Sequence, residues 1–311
     1  MGDSKRQRFP DVVQIGEKMN IIGKKNLWFS FSIIMILISI FAMGFNAFAR
    51  GSIMNFGIDF TGGTMLVLRF ENNKGSINDV RKVLNDFGLA KSIIQKTGES
   101  DISIKCETIS TDTRTQILME LESKIGKVEL LEADIVGPVI GNELRMQAIW
   151  ALVCATIGII IYVSFRFEFR YALAAIIALY HDAIIMVGMM ALLWRNIEVP
   201  FIAAILTIMG YSINDTIIIF DRIRENIKKS GKLNKNFSEL VNESVNQTMA
   251  RSINTVLTVV VMNVCILLFG GTMIQDFALA LLIGFVCGAY SSIFLASPLL
   301  VMWTKNLVRR K

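Results

Sequence analysis

Long apolar segments separated by charged ones dominate the pattern of hydrophobic and polar positions along this chain. A helix needs about 20 predominantly apolar residues to cross a bilayer, and six segments meet this requirement. The predicted spans are Leu27–Phe48, Met146–Phe165, Tyr171–Trp194, Pro200–Phe220, Ser252–Phe269 and Phe277–Trp303. We interpret the first as a retained span and not as a signal peptide, because its apolar core exceeds the usual length of about 7–15 residues and its basic leader is long.

The stretch between the first two spans, residues 50–144, has a different pattern and predicts a folded domain. Alternation of apolar and polar residues is typical of strands, and a three-to-four residue period after a Ser or Asp cap is typical of helices. The predicted strands are Thr64–Phe70, Ile102–Cys106 and Val128–Val136, and the predicted helices are Ser76–Phe87 and Asp112–Ile125. The order β-α-β followed by α-β suits a small ferredoxin-like α+β sandwich.

The predicted fold class is therefore a membrane α-helical protein of six transmembrane helices, with a small extracytoplasmic α+β (ferredoxin-like) domain between the first and second spans. The predicted parts are a cytoplasmic N-terminal segment (1–26), the first transmembrane helix (27–48), the extracytoplasmic domain (50–144), a five-helix transmembrane bundle (146–304) with a cytoplasmic loop at 221–249, and a cytoplasmic tail (305–311). Within the loop, Phe237–Val245 predicts a short amphipathic helix.

The composition supports a membrane protein. The 311 residues are 53% hydrophobic and 19% charged, and the mean hydropathy is +0.53, whereas ordinary soluble domains are about 25% charged. The net charge of +6 does not indicate nucleic-acid binding, because no basic run is interleaved with aromatic residues in a soluble module.

The basic residues lie on alternate connections and predict the orientation. They precede the first span, lie between the second and third, follow the fourth, and follow the last; the other short connections hold only Arg195. By the positive-inside rule both termini are cytoplasmic, and residues 50–144 lie on the opposite side of the membrane.

Asp215 is the residue of greatest chemical interest, because it lies inside the fourth predicted span. An ionised carboxylate near the bilayer centre costs at least about 2.5–3.5 kcal/mol, so such residues commonly belong to ion or proton paths. The alternative is a residue of helix packing that stays protonated or permanently paired.

Arg251 is the predicted partner of Asp215. The fifth span runs antiparallel to the fourth, and Arg251 reaches a depth similar to that of Asp215 if its helix begins a turn or two before the apolar run. Two polar stripes at helical spacing are expected to face each other. One comprises Arg251, Asn254, Thr255 and Thr258, and the other Thr207, Tyr211, Asn214 and Asp215. The alternative for Arg251 is a boundary residue that obeys the positive-inside rule.

A second polar pair, His181 and Asp182, lies midway along the third span. Neighbouring residues point about 100° apart on a helix, so a proton relay and a packing network are equally good interpretations. Just after the first span, Asp59 is followed by Gly62 and Gly63, where glycines permit a tight reversal of the chain. A role in stabilising this turn is the expected one for Asp59.

Several kinds of chemistry find no support in the sequence. The four cysteines (Cys106, Cys154, Cys265 and Cys287) lack CxxC spacing, and one histidine cannot build a histidine metal cluster. No metal site and no cofactor are predicted. Nucleophilic triads, paired general acids and bases, and phosphate-binding loops do not occur, so we do not expect an enzyme.

Four motifs resemble the SecD/SecF family of protein-export membrane proteins, and specifically its SecF members, within the wider resistance–nodulation–division transporter architecture. They are Phe56-Gly57-Ile58-Asp59-Phe60-Thr61-Gly62-Gly63-Thr64, Val136-Gly137-Pro138-Val139-Ile140-Gly141-Asn142-Glu143-Leu144, Gly210-Tyr211-Ser212-Ile213-Asn214-Asp215-Thr216 continuing through Asp221-Arg222-Ile223-Arg224-Glu225-Asn226, and Arg251-Ser252-Ile253-Asn254-Thr255. In this resemblance Gly137, Pro138 and Gly141 are structural residues of the second motif.

The resemblance implies an accessory subunit of the Sec translocase, in the bacterial cytoplasmic membrane, that promotes preprotein translocation and release with the proton motive force. The implied partners are SecD, the SecYEG channel, translocating preproteins and protons, with a YidC-type insertase as a further candidate and sodium as the alternative ion. Asp215, Arg251 and Asn214 match the proton-coupling positions, while His181, Asp182 and Thr255 form a secondary polar network. The alternatives are a small-molecule or lipid exporter of the same architecture and a non-transporting membrane scaffold.

Overall fold

A computed structural model of the chain describes residues 19–71, 76–97, 100–230, 237–270 and 272–308. Within these ranges, six helical segments are long and apolar enough to cross a membrane. They are Lys25–Arg50, Pro138–Arg166, Phe169–Leu192, Val199–Lys229, Phe237–Phe269 and Ile274–Thr304. The prediction of six spans is therefore confirmed.

Most of the helices are longer than the apolar runs that predicted them, whereas α6 has the predicted length and begins two residues earlier. α1 is Lys25–Arg50, α5 is Pro138–Arg166, α6 is Phe169–Leu192, α7 is Val199–Ser230 and α8 is Phe237–Phe269. The last span consists of α9 (Thr272–Ser291), a π-helical turn (Ser292–Ala296) and α10 (Ser297–Val308).

The extension of α7 and α8 changes the predicted connection at 221–249, which is largely helical. The amphipathic segment predicted at Phe237–Val245 is the beginning of α8 itself. The reason is packing: Ile223 on α7 and Val241 and Val245 on α8 are fully buried in the bundle core, so both helices gain by continuing. The predicted loop at 231–236 lies outside the described residues.

The central helices of the bundle are α6, α7 and the last span, and α1, α5 and α8 lie at its periphery. Small residues let the central helices approach closely, as is common in membranes. A Cβ atom at Gly188 on α6 would overlap the Ser39 side chain of α1, and one at Gly284 on α9 would overlap Ile208 of α7.

The α+β domain between α1 and α5 has a four-stranded antiparallel sheet. Its strands are β2 (Gly63–Phe70), β3 (Ile93–Lys96), β4 (Asp101–Cys106) and β5 (Val128–Val136), and its helices are α3 (Ile77–Asp86) and α4 (Thr111–Lys124). The strand order β3-β4-β2-β5 is the ferredoxin-like order, which confirms the predicted fold. The sequence prediction omitted β3.

The two helices cover one face of the sheet. Leu66 and Leu68 of β2 and Ile104 of β4 are fully buried against Val80 of α3 and Ile117 of α4. The other face points towards the bundle.

A two-stranded parallel sheet joins the domain to the bundle. β1 (Asn55–Phe56) follows α1 and pairs with β6 (Asn196–Ile197), which lies between α6 and α7. A short helix, α2 (Ile58–Thr61), connects β1 to β2. We call this end of the bundle the domain side and the opposite end, where α1 begins, the terminal side.

Candidate functional site

Asp215 lies in the middle of α7 and is 7% exposed. Its Oδ1 atom accepts a 2.6 Å hydrogen bond from the hydroxyl of Ser252 on α8. The other oxygen, Oδ2, is buried and accepts no well-oriented hydrogen bond. The hydroxyl of Ser292 is near the carboxyl group, but it is bonded to the Thr216 hydroxyl at 2.8 Å. Only one of the two carboxyl oxygens of Asp215 therefore has a hydrogen-bond donor, so the hydrogen-bonding capacity of the group is half satisfied.

The π-helical turn of the last span supplies Ser292 to this site. π-Helical turns within α-helices are rare and often occur at functional sites. The Ser292 hydroxyl donates to the Ser212 carbonyl at 3.4 Å, and the Ser297 hydroxyl donates to the Ser292 carbonyl at 3.2 Å. The π-helical turn beside Asp215 is thus bonded to a backbone carbonyl of α7 and to a hydroxyl group of α10.

Asp182 on α6 forms the second buried acidic site. Its Oδ2 atom accepts 2.7 Å hydrogen bonds from the hydroxyls of Ser212 on α7 and Ser291 on α9, and its Oδ1 lies 3.0 Å from Nδ1 of His181. Both His181 and Asp182 are buried. Although the two residues are neighbours on one helix, their side chains reach each other.

His181 completes this polar cluster only in part. Its ring stacks on Tyr290 with centroids 6.0 Å apart, and its Nε2 atom is buried without a hydrogen-bond partner. The two acidic sites are adjacent, because Ser212 lies one turn before Asp215 and Ser291 precedes Ser292. Among the described residues no hydroxyl–hydroxyl bond connects them.

The predicted partners of Asp215 lie on the surface of the isolated chain. Arg251, Asn214 and Thr255 are all exposed. The charge of Arg251 acts on the Asp215 carboxyl group, but no ion pair joins the two among the described residues. Thr255 donates to the carbonyl of Arg251 on its own helix at 2.7 Å. Asp215 is thus buried, whereas Asn214, Arg251 and Thr255 lie on an exposed polar face of α7 and α8. The two stripes do not bury each other along their length, which differs from the sequence prediction.

A polar cavity of about 380 Å³ opens at the terminal side between α7 and α8. Its lining residues are Ile218, Asp221, Arg222, Glu225, Gln247, Thr248 and Arg251. Arg222 donates to Gln247 at 2.6 Å and to Glu225 at 2.7 Å across its wall. Because Ile218 and Thr248 each lie within about one helical turn of the Asp215–Ser252 contact, the cavity reaches close to the buried acid.

The predicted turn after the first span has a clear geometry. Gly62 and Gly63 have φ values of 71° and 125°, which L-residues with a side chain rarely adopt. A Cβ at Gly141 on α5 would lie 3.0 Å from the Gly62 nitrogen. Asp59 accepts a 2.9 Å hydrogen bond from the backbone N–H of Val199, so it also stabilises the beginning of α7.

The other two residues of the second motif lie at the beginning of α5. Gly137 is the N-cap and Pro138 is in the first turn, where the missing N–H of proline costs nothing. These positions are consistent with structural roles.

Sequence reasoning missed the hydroxyl groups that contact the two acids. Ser212 is spaced one turn from Asp215 and therefore shares a helix face with it, which was a detectable signal. Ser252 immediately follows Arg251. Ser291 and Ser292 lie in an apolar span whose π-helical turn has no sequence signal that we recognise. No cluster of His, Cys, Asp and Glu suited to a metal ion occurs among the described residues.

Two family models match the chain. The model described as "Protein export membrane protein SecD/SecF, C-terminal" matches residues 116–306, and the "SecD/SecF GG Motif" matches residues 54–74. The first covers five of the six spans, with both acidic sites, and the second covers the turn with Gly62 and Gly63.

Curated relatives are similar over nearly their whole length. A protein translocase subunit SecF of Sebaldella termitidis is 40% identical over 91% of this chain and 91% of its own. The corresponding subunit of Synechocystis is 42% identical over 88% of this chain and 90% of its own.

Two solved structures have the same fold. The crystal structure of SecDF, a translocon-associated membrane protein from Thermus thermophilus, matches 94% of this chain with a TM-score of 0.84 and 36% identity. A structure of SecDF in a super-membrane-facing form matches with a TM-score of 0.69 and 35% identity. This chain spans 40% and 41% of those two longer chains.

Proposed function

This chain belongs to the SecD/SecF family of protein-export membrane proteins, and we propose that it is an accessory subunit of the Sec translocase that uses an ion gradient to promote preprotein movement. The names of its relatives favour export of proteins over export of small molecules or lipids. The proposal assigns no enzymatic step to this chain.

The observation that carries the proposal is the half-satisfied carboxyl group of Asp215. One oxygen accepts from Ser252 and the other is buried without a well-oriented donor. A purely structural acid in this position would gain from a full set of hydrogen bonds. An acid that binds and releases a proton needs a carboxyl oxygen that is free to take up the proton or a new hydrogen-bond partner.

The exposed polar face beside Asp215 supports a partner with its own polar helices. Asn214 and Arg251 would be costly against lipid, where unsatisfied polar groups find no water. A second six-span half of the SecD type would cover this face. The similarity to SecDF chains, of which this chain spans about two fifths, supports such a partnership.

Arg251 then has a specific role in the proposed cycle. If repacking of the two halves brings its guanidinium towards Asp215, the carboxyl group releases its proton, because a nearby cation stabilises the carboxylate. Withdrawal of Arg251 allows a proton to bind again. The terminal-side cavity beside Arg251 supplies the path by which that proton leaves.

The orientation belongs to the same proposal. We place both termini in the cytoplasm of a bacterium, and the α+β domain outside the cytoplasmic membrane, on the strength of the basic residues near the terminal side. In this arrangement the domain meets preproteins that leave the SecYEG channel, and a YidC-type insertase is a further candidate partner.

The test is preprotein release from vesicles that contain this chain, a SecD partner and the Sec channel with its ATPase. Wild type is compared with Asp215→Asn, with and without an imposed proton gradient. Asp79→Asn, which neutralises an exposed acid paired with Lys82 on the α+β domain, is the matched control.

We expect the gradient to stimulate release by wild type and Asp79→Asn but not by Asp215→Asn. If Asp215→Asn responds as wild type does while the complex assembles normally, Asp215 is structural and the proposal fails. A sodium gradient imposed in place of the proton gradient distinguishes the two ions.

A further inference from the structure

A buried lysine links the α+β domain to the bundle. Lys105 on β4 is 7% exposed, although lysine is almost never fully buried without a partner. Its ammonium group donates to Oδ1 of Asn196 on β6 and to Oδ1 of Asn55 on β1 at 3.3 Å. One side chain of the domain thus contacts both strands of the small junction sheet.

Glu198 extends this contact to the beginning of α7. The Asn196 side-chain amide donates to Oε1 of Glu198 at 2.6 Å, so Asn196 bridges the ammonium group and the carboxylate. We refer to Lys105, Asn196 and Glu198 as the clasp. A Cβ at Gly57 would overlap Glu198, which shows how closely the chain between β1 and α2 packs on it.

The clasp stands beside a large open space. A cavity of about 870 Å³ separates the uncovered face of the sheet from the bundle. Met65 and Ser103 line it from the domain, and Trp194 and Leu279 line it from the bundle. The domain is therefore held near the end of an internal strand, β4, and has room beside it, which is the arrangement of a hinge.

We propose that the clasp of Lys105, Asn196 and Glu198 sets the orientation of the α+β domain on the membrane bundle, and that its release lets the domain tilt. This tilt of the domain does not require that Asp215 carries protons.

The electrostatics of the clasp favour a change of state near neutral pH. Burial raises the pKa of Glu198 to about 7, and the positive charge of Lys105 opposes this shift, while Asp59, Asp276 and Glu132 add to it. Burial lowers the pKa of Lys105 to about 8, against the effect of Glu198 and Asp276. These carboxylates reach the clasp from α2, α9 and β5.

One further charge, Arg195, pairs with Asp276 at 3.4 Å beside the clasp. In the closed clasp Glu198 holds a proton up to about pH 7, whereas a Glu198 released into water would lose it near its ordinary value of about 4.5. The closed state therefore binds the additional proton, and acidification from about pH 7 to about pH 5 favours closure.

The test measures the distance between the domain and the bundle in the full chain in lipid nanodiscs. Spin labels on Glu122→Cys in α4 and Phe269→Cys at the domain-side end of α8, two exposed positions, report the tilt after the native cysteines are replaced by alanine. Lys105→Met, Glu198→Gln and the unaltered clasp are compared. Lys127→Met, which removes one partner of the exposed pair with Glu71, is the control.

We expect Lys105→Met to reduce the population at the closed distance about tenfold, because it removes the ammonium group that donates to Asn55 and Asn196 across the junction. The unaltered clasp should gain closed population as the pH falls from about 7 to about 5, and Glu198→Gln should not respond to this change. Lys127→Met should behave as the unaltered protein does.

The proposal is overturned if Lys105→Met leaves the distance distribution unchanged, or if Glu198→Gln follows pH as the unaltered clasp does. If Lys105→Met fails to fold, Asn196→Ala replaces it, since this change removes the bridge and retains both charges. An unchanged distribution in Asn196→Ala overturns the proposal equally.

Discussion

Ser252 on α8 donates a 2.6 Å hydrogen bond to Asp215 on α7, and both side chains are buried between spans that are consecutive in the chain. The position of the Asp215 carboxyl group therefore depends on both α7 and α8. A relative movement of α7 and α8 would lengthen or break this bond. The free energy of the bond therefore contributes to the cost of moving the two helices apart at Asp215.

Ser252→Ala should therefore destabilise the bundle by an amount that depends on the charge of Asp215. A hydrogen bond to an ionised group contributes about 1.5–3 kcal/mol, and one between neutral groups about 0.5–1.5 kcal/mol. The free energy of unfolding in mixed micelles, measured for wild type and Ser252→Ala, separates these two cases.

Thr258→Val is the appropriate control on the same helix. The Thr258 hydroxyl is exposed and donates only to the carbonyl of Thr255 on α8 itself. Its loss should change the free energy of unfolding by less than about 0.5 kcal/mol. An equal effect of both substitutions would show that the Ser252–Asp215 bond contributes nothing specific.

Asp182→Asn should destabilise the centre of the bundle. The carboxylate oxygens accept from Ser212 and Ser291 and lie within hydrogen-bonding distance of His181, whereas an asparagine amide has one acceptor oxygen and adds two donors. Ser212 and Ser291 donate to the same oxygen, Oδ2, so either orientation of the amide leaves at least one buried N–H or O–H group without an acceptor, which costs about 1–3 kcal/mol. Unfolding in mixed micelles measures the loss.

A double-mutant cycle with Ser291→Ala identifies the cause. If Asp182→Asn acts by leaving Ser291 unpaired, the double variant should be no less stable than Asp182→Asn alone. Additive losses would mean that the two residues do not act through their shared hydrogen bond.

Much of the architecture followed from the sequence because its signals are strong and local. Apolar runs of about 20 residues predict spans with little ambiguity. In the α+β domain, the Ser76 cap was predicted before α3, and its hydroxyl does accept from the Asn78 N–H. The length of α7 and α8 was underestimated, because charged residues such as Lys228 end the hydrophobic pattern but not the helix.

The geometry of the candidate site was less accessible to sequence reasoning. Asp215 was identified because a carboxylate in lipid is costly, but its contact with Ser252 depends on how two helices are rotated against each other. Hydropathy does not determine that rotation. Lys105 was overlooked for a related reason: an alternating strand gives it the position of a solvated residue, and only the bundle across the junction buries it.

Gly188→Ala should destabilise the contact between α1 and α6. A Cβ at Gly188 would overlap the Ser39 side chain, and overpacking of this kind costs about 1–3 kcal/mol. Gly158→Ala on α5 is the matched control, because a Cβ there meets nothing within 4 Å. The control should be neutral or stabilising by up to about 1 kcal/mol, since alanine is the better helix former. Ser39→Gly should restore part of the loss, and a failure to do so would assign it to another contact.

Cys106 at the end of β4 should react slowly with alkylating reagents. Burial raises the pKa of its thiol to about 11 from an ordinary value of 9.0, with a further contribution from Glu107. Only the thiolate is nucleophilic, so at about pH 8 the reactive fraction is about a hundredfold below that of an ordinary cysteine. Alkylation by a water-soluble maleimide, with the other three cysteines replaced by alanine, measures this rate.

The pH dependence of the alkylation rate shows whether the pKa of the Cys106 thiol is raised. Because the folded protein favours the neutral thiol, the rate for Cys106 should still rise about tenfold per pH unit between about pH 8 and 10. A cysteine introduced at the exposed Ser123 of α4 should approach its maximum rate near pH 9 to 10. In the structure the Cys106 thiol donates to the Thr64 carbonyl at 3.7 Å. If the alkylation rate of Cys106 levels off at the same pH as that of the introduced cysteine, the Cys106 thiol is solvated and this contact does not form.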